Sequence, residues 1–205
     1  MQNIQEKKVW SVNGFVMVFI NLIMIVAGWR LIAAGVRTEA VGTWIAVVLL
    51  SLLYFFSLQG YFLVHPNEAK VCVFLGKYIG SARTNGFFWT NPFAVRKKVS
   101  LRIHNFNSET IKVNDARGNP IEIAAVVVWH VLDSSKALFN VQGYENFVAI
   151  QSETAIRTLA SHYPYDSHDA GQNSLRANPE EISSLLRTQV QERLEVAGVH
   201  VDEAR

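Results

Sequence analysis

Charge is missing from two long stretches of this 205-residue chain: none occurs from Val9 to Trp29, and none from Ala40 to Asn67. Helices packed inside a soluble core seldom run that far without a charged residue, which disfavours that account. Cysteine is nearly absent too. Cys72 alone excludes an internal disulfide, and among Val71, Val73, Phe74 and Leu75 it reads as a buried apolar residue in a reducing compartment. The chain has no G-x-S-x-G elbow, phosphate loop, dinucleotide fingerprint or C-x-x-C pair. Ser134, Ser135 and Lys136 sit at a helix start, where capping accounts for the serines and no neighbour supplies the base a nucleophile needs. A basic, aromatic-interleaved face of the kind nucleic acid requires is absent, as are repeats and low-complexity segments.

What is present begins with a membrane anchor over residues 1–64, containing two apolar helices at about 9–29 and 43–64. Each is long enough to cross a hydrocarbon core of roughly 30 Å. Trp10 and Trp29 bracket the first and Trp44 and Tyr61 the second, roughly 29 and 26 Å apart at a helical rise of about 1.5 Å, near the spacing of two interfacial belts. Arg30 beside Trp29 is expected to snorkel to the interface. Asn13 and Asn21 can bond across helices, and Gly14, Gly28 and Gly42 permit close approach without forming a G-x-x-x-G pattern. A cleaved signal peptide would have a shorter apolar region and would leave the second segment unexplained. Lys7 and Lys8 precede the anchor, and Lys70, Lys77, Arg83, Arg96, Lys97 and Lys98 follow it, whereas the connecting step offers Arg30 and Arg37. The more basic side is normally cytoplasmic, so the body is expected there.

The net charge of +2 conceals an asymmetry. Residues 65–102 carry seven Lys or Arg against one acid, Glu68, while residues 103–205 carry eight against fourteen. The basic part is the part tied to the membrane, and Arg96, Lys97 and Lys98 are candidates for anionic lipid headgroups.

His65-Pro66-Asn67 ends the anchor. Short strands follow: Val71 to Leu75, a partner beyond the turn at Gly76 to Gly80, a longer run from Val95 to Phe106, and Ser108 to Val113. Asn85-Gly86 and Asn91-Pro92 mark turns. The polar run Asn114 to Pro120 connects to Ile121 to Val131, the strongest strand, whose apolar residues on both faces predict a central position covered on both sides. The period then becomes helical. Asp133 is expected to cap a short helix through Val141. Phe147, Val148, Gln151, Ala155, Ile156, Leu159 and Tyr163 mark one face of a longer helix. After a polar loop, Asn178-Pro179-Glu180-Glu181 opens a third, whose stripe is Ile182, Leu186, Val190 and Leu194 and which Gly198 closes. Strands first and helices afterwards indicate an α+β fold.

The order Val71-Cys72-Val73-Phe74-Leu75-Gly76-Lys77-Tyr78, then Asn85-Gly86-Phe87-Phe88-Trp89 with Asn91-Pro92-Phe93, then Ile121 to Val131, Val131-Leu132-Asp133, Lys136 to Val141 and Tyr144-Glu145, resembles the SPFH (band 7) family of stomatins, prohibitins and flotillins. The resemblance covers roughly residues 65–201. It implies an antiparallel sheet with packed helices over 65–205, and a scaffold without catalysis or cofactor that self-associates on a membrane and organises microdomains and membrane-protein partners. A narrower alternative is a regulatory partner of a membrane protease or other membrane enzyme. Two departures stand out: many stomatin-like members carry one apolar segment where this chain has two, and the sequence stops where the family usually enters another strand and then a helical assembly region. One further cluster, His162, Asp166, His168 and Asp169, supplies nitrogen and oxygen donors within eight residues. No helix-face spacing makes them converge, so a polar loop is expected rather than the site of a membrane-tethered metal enzyme.

Overall fold

In the computed structural model, residues 5–38, 40–166 and 174–205 are described. The chain divides into two compact units, one of Lys7–Val99 and one of Ser100–Arg205 together with the segment ending at Glu6.

In the first unit, the short strand β1 (Val12–Asn13) leads into α1 (Gly14–Thr38), which returns as α2 (Val41–Leu58). The Asn13 side-chain oxygen accepts the Phe15 amide at 2.9 Å and so satisfies one free donor at the start of α1. Both helices are shifted from the sequence-based bounds of 9–29 and 43–64. Long-range pairing takes the ends: β2 (Tyr61–Val64) and β1 both lie against β5 (Gly86–Trp89), in the order β1-β5-β2. A second sheet has the order β4-β3-β6, from β3 (Glu68–Phe74), β4 (Lys77–Ala82) and β6 (Val95–Ser100). Val9, Phe62, Val64, Cys72 and Ala82 form this unit's core, with Ile79 and Phe88 against it. Burial pushes the Cys72 thiol up from its ordinary pKa, as expected of an inert apolar cysteine.

The second unit contains β7 (His104–Asn107), the hairpin β8 (Ile111–Asn114) and β9 (Pro120–Ile123), then β10 (Val126–Val131), α3 (Ser134–Phe139), α4 (Tyr144–His162), α5 (Pro179–Leu194) and β11 (Val199–Ala204). The expected run Val95 to Phe106 is therefore two strands in different sheets, joined by a turn in which the Ser100 hydroxyl accepts the Arg102 amide. Ile121 to Val131 also divides, because the chain changes partner: Ser108 and Ala125 bond to each other just where β9 leaves β8 and β10 joins β7. β10 is central, in the order β11-β10-β7, but only one of its faces is buried. Val127, Trp129 and Val131 point inward; Val126 is exposed and Val128 and His130 are half-buried.

The helical stripe Ile182, Leu186, Val190 and Leu194 is buried as expected, with α5 packed on β11 and α4 on α5. Each side chain of this size contributes about 1.5–3 kcal/mol on full burial. Asp133 caps α3 by accepting the Ser135 and Lys136 amides at 2.9 and 3.0 Å. The Ser135 hydroxyl also donates to Asp133, and that of Ser134 donates to Glu6 at 2.5 Å, so both serines are committed to structure. Asn178 does not cap α5; its side-chain oxygen lies 3.4 Å from the Ser174 amide instead.

Candidate functional site

The hairpin and its base carry the features that a membrane function requires. Both helices are long and apolar enough to cross a bilayer, and almost nothing covers them. Buried positions are confined to Gly14, Asn21 and Gly35 in α1 and Ser57 in α2. Gly14, Asn21, Gly28 and Gly35 recur every seventh residue, and half-buried Met17, Met24 and Leu31 fall between them. This is a heptad spacing in which Gly28 and Gly35 leave room for α2, whereas Gly14 is covered by the Phe87 ring of β5. A Cβ at Gly28 would lie 3.6 Å from the Leu50 side chain, and one at Gly35 would lie 3.5 Å from Thr43 and Trp44. The small-residue signal lay in the sequence at a spacing of seven, where a search for small residues four apart misses it.

The seam between the two helices closes on polar groups at the base. Asn21 donates to the Tyr61 hydroxyl at 2.6 Å and accepts from Ser57 at 3.0 Å, and the Trp89 indole donates to the Ser57 carbonyl at 2.7 Å. Aromatic pairs surround this network: Trp10 with Trp89, Phe15 and Tyr61 with Phe87, and Phe56 with Phe93. Sequence reasoning anticipated cross-helix bonding by Asn21 but missed Ser57, Phe87 and Trp89, whose roles depend on β5 pairing with β1 and β2.

The five expected interface residues are arranged differently from the sequence-based scheme of bracketing pairs. Trp10 precedes β1 and Tyr61 lies in β2, both at the base, while Trp44 sits in the first turn of α2. Trp29 and Arg30 lie within α1, which continues to Thr38 without a break, so Arg30 does not stand at a helix end.

Arg96, Lys97 and Lys98 also separate. Arg96 folds against the hairpin base, donating to the carbonyls of Gln59 and Asn91 at 3.0 and 3.3 Å, with its guanidinium 5.4 Å from the Phe62 ring centre. Burial lowers its pKa from the ordinary value. Lys98 reaches Glu68 at 2.7 Å, where Lys70 also arrives at 3.1 Å. The Lys98 hydrogen bond and, after an opposing contribution from burial, the Lys70 contact hold the Glu68 carboxyl below its usual range. Lys97 points to the other side of β6 and has no ion pair or hydrogen bond among the described residues. Arg96→Gln should therefore destabilise the detergent-solubilised chain by about 1.5–3 kcal/mol in a thermal melt, through lost charged hydrogen bonds. Lys97→Gln should leave the melt unchanged; equal effects of the two would contradict this division.

Among the described residues no group of three or more His, Cys, Asp or Glu side chains is placed to hold a metal. His162 Nδ1 lies 2.6 Å from the Thr158 carbonyl and Asp166 pairs with Arg176 at 3.0 Å, while His168 and Asp169 lie outside the described residues. The strand histidines have structural partners: His104 stacks on Trp129, and His130 Nδ1 lies 2.8 Å from Asp202. In the β8–β9 connection, burial raises the Asp115 pKa. The backbone amides of Tyr165, Asn119 and Arg117 and the Asn119 side chain outweigh it and bring the carboxyl down to about 2.

Residues 62–205 match the family model for the SPFH domain / Band 7 family. No curated protein matched the chain.

Proposed function

The chain belongs to the SPFH domain / Band 7 family, and from that membership we propose that it is a self-associating membrane scaffold that organises microdomains and membrane-protein partners. The observation that carries this reading is the uncovered apolar hairpin joined directly to the matched domain. Residues such as Phe15, Phe19, Phe55 and Val41 are among the most exposed large side chains, and a surface of that size needs lipid or protein around it. The proposed work is done by assembly, without catalytic turnover. Lys97 is the candidate for an anionic headgroup within the basic stretch after the hairpin, with an expected gain of roughly 1 kcal/mol. Since α5 buries its apolar stripe on β11 of its own chain, contacts between copies fall to other surfaces.

Particle mass in mild detergent tests the scaffold. Large homo-oligomers support it, and strictly monomeric particles at concentrations well above those in a membrane would falsify it. A small complex of fixed stoichiometry with one membrane enzyme favours the regulatory alternative. The proposed orientation has the body on the cytoplasmic side, a reading that the basic flanks support. Labelling of an introduced cysteine near Arg205 by an impermeant reagent outside intact cells would refute that side.

A further inference from the structure

Arg30 occupies a position that helix length and register jointly define. It lies eight residues before the end of α1 at Thr38, about 12 Å along the axis. Gly35 meets Thr43 and Trp44, Gly28 meets Leu50, and Asn21 bonds to Ser57, which sets Arg30 level with the stretch around Val48, inside α2. Gly28 faces α2, and two further residues turn a helix by about 200°, so Arg30 stands on the outer side. It falls in an exposed column with Val16, Ile23 and Arg37. Helical side chains lean toward the N-terminus of their own helix, so Arg30 leans toward Gly14 and away from the nearer end of the hairpin.

The Arg30 side chain has no hydrogen bond or ion pair among the described residues, and neither α1 nor α2 contains an Asp or Glu. Between Glu6 and Glu68 the sequence has one acid, Glu39, nine residues on from Arg30. A second copy in the same orientation would therefore bring Arg30 against the same acid-free helices and against another Arg30. Lipid phosphates lie at the two interfaces, and depth and lean both separate Arg30 from the nearer one. A cation within a transmembrane segment is costly, and where it is retained it marks a functional site and pairs with another charged side chain or a backbone carbonyl.

We propose that Arg30 is a docking cation for an Asp or Glu carboxylate carried within the transmembrane helix of a different membrane protein. This rests on the membrane reading of the hairpin given above, and it assigns that scaffold a class of client defined by an acid at matching depth.

The full chain is reconstituted in phosphatidylcholine vesicles with a labelled synthetic Leu/Ala transmembrane peptide carrying one Glu at mid-span, and separately with its Gln counterpart. Energy transfer at pH 8 should report at least tenfold stronger association with the Glu peptide. Arg30→Leu should abolish the preference and Arg30→Lys should keep most of it. Equal association of the two peptides, or an Arg30→Leu chain that retains the preference, overturns the proposal. Transfer between two labelled copies of the chain that disappears with Arg30→Leu also overturns it, in favour of self-pairing. Alkaline extraction of the same vesicles separates the two levels of failure: a released chain defeats the membrane reading and the docking site together, whereas a retained chain indifferent to the Glu peptide defeats the docking site alone.

Discussion

Leu50→Arg is expected to keep most of the chain out of the bilayer. Leu50 lies near the middle of α2, against the seam glycine Gly28 of α1. A guanidinium at a helix centre costs about 2.5–3.5 kcal/mol on insertion scales, roughly a hundredfold or more in the insertion equilibrium. The usual reliefs are closed at this site. No acid in either helix can pair with the new charge, and Arg30 already places one cation at almost the same level. α2 has only 18 residues, about 27 Å, so it cannot slide to bring the new arginine to an interface without leaving the hydrocarbon underfilled. The fraction resisting alkaline extraction is the readout, with Leu50→Ala as the control that loses packing without adding charge. Full retention of Leu50→Arg would place α2 outside the hydrocarbon.

The same hairpin separates what the sequence makes legible from what it does not. Apolar runs without charge are a local property, so the existence of two helices could be read directly. Their ends could not, because Trp10 leads into β1 and Tyr61 lies in β2, two strands held by Phe88 and Trp89 from a distant part of the chain. A search for aromatic belts consequently took Trp10 and Tyr61 for the outer ends of two helices, where they pair with Trp89 and Phe87 of β5 at the hairpin base. The apolar runs Val95 to Phe106 and Ile121 to Val131 hid their breaks for a related reason. Nothing in local hydrophobicity marks the residue at which a strand changes partner, and at Ala125 that change depends on Ser108, 17 residues away. Features set within a few residues fared better. The Asp133 cap, the hairpin over Asn114 to Pro120 and the α5 stripe all appear where the pattern put them.

The basic patch shows how side-chain partners override a charge count. Three consecutive cations suggest one lipid-facing surface, but strand alternation splits them, and carbonyls at the hairpin base and the buried Glu68 take two of the three. Sequence alone does not show that Glu68 is buried, because the burial comes from tertiary packing around β3. In a strand, the number of cations available to a membrane depends on which of them the fold has already neutralised.

Gly198→Ala is expected to have the largest effect on the body, where α5 gives way to β11. Gly198 sits at φ 65°, and a Cβ there would lie 2.7 Å from the Asp133 carbonyl oxygen and 2.8 Å from the Lys136 Cβ. That carbonyl cannot swing away, because it accepts the Ala137 amide in the first turn of α3, and the Gly198 carbonyl accepts the amides of Leu132 and Asp133. A methyl group must therefore push β11 from the end of β10 or distort the cap that Asp133 builds. Left-handed backbone alone costs a non-glycine residue about 1–2 kcal/mol, and the clash should raise the total to about 3 kcal/mol or more. Gly143 supplies the control, since its φ is 63° and nothing lies within 4 Å of the Cβ position. Gly143→Ala should show the conformational cost alone. Near-UV circular dichroism melts of the full chain in detergent compare the two, with a Gly198→Ala chain expected to melt well below Gly143→Ala or to lose its fixed tertiary signal at ambient temperature. Equal melting of the two variants would mean that the junction yields, and that the Asp133 cap and the start of β11 are not locked together.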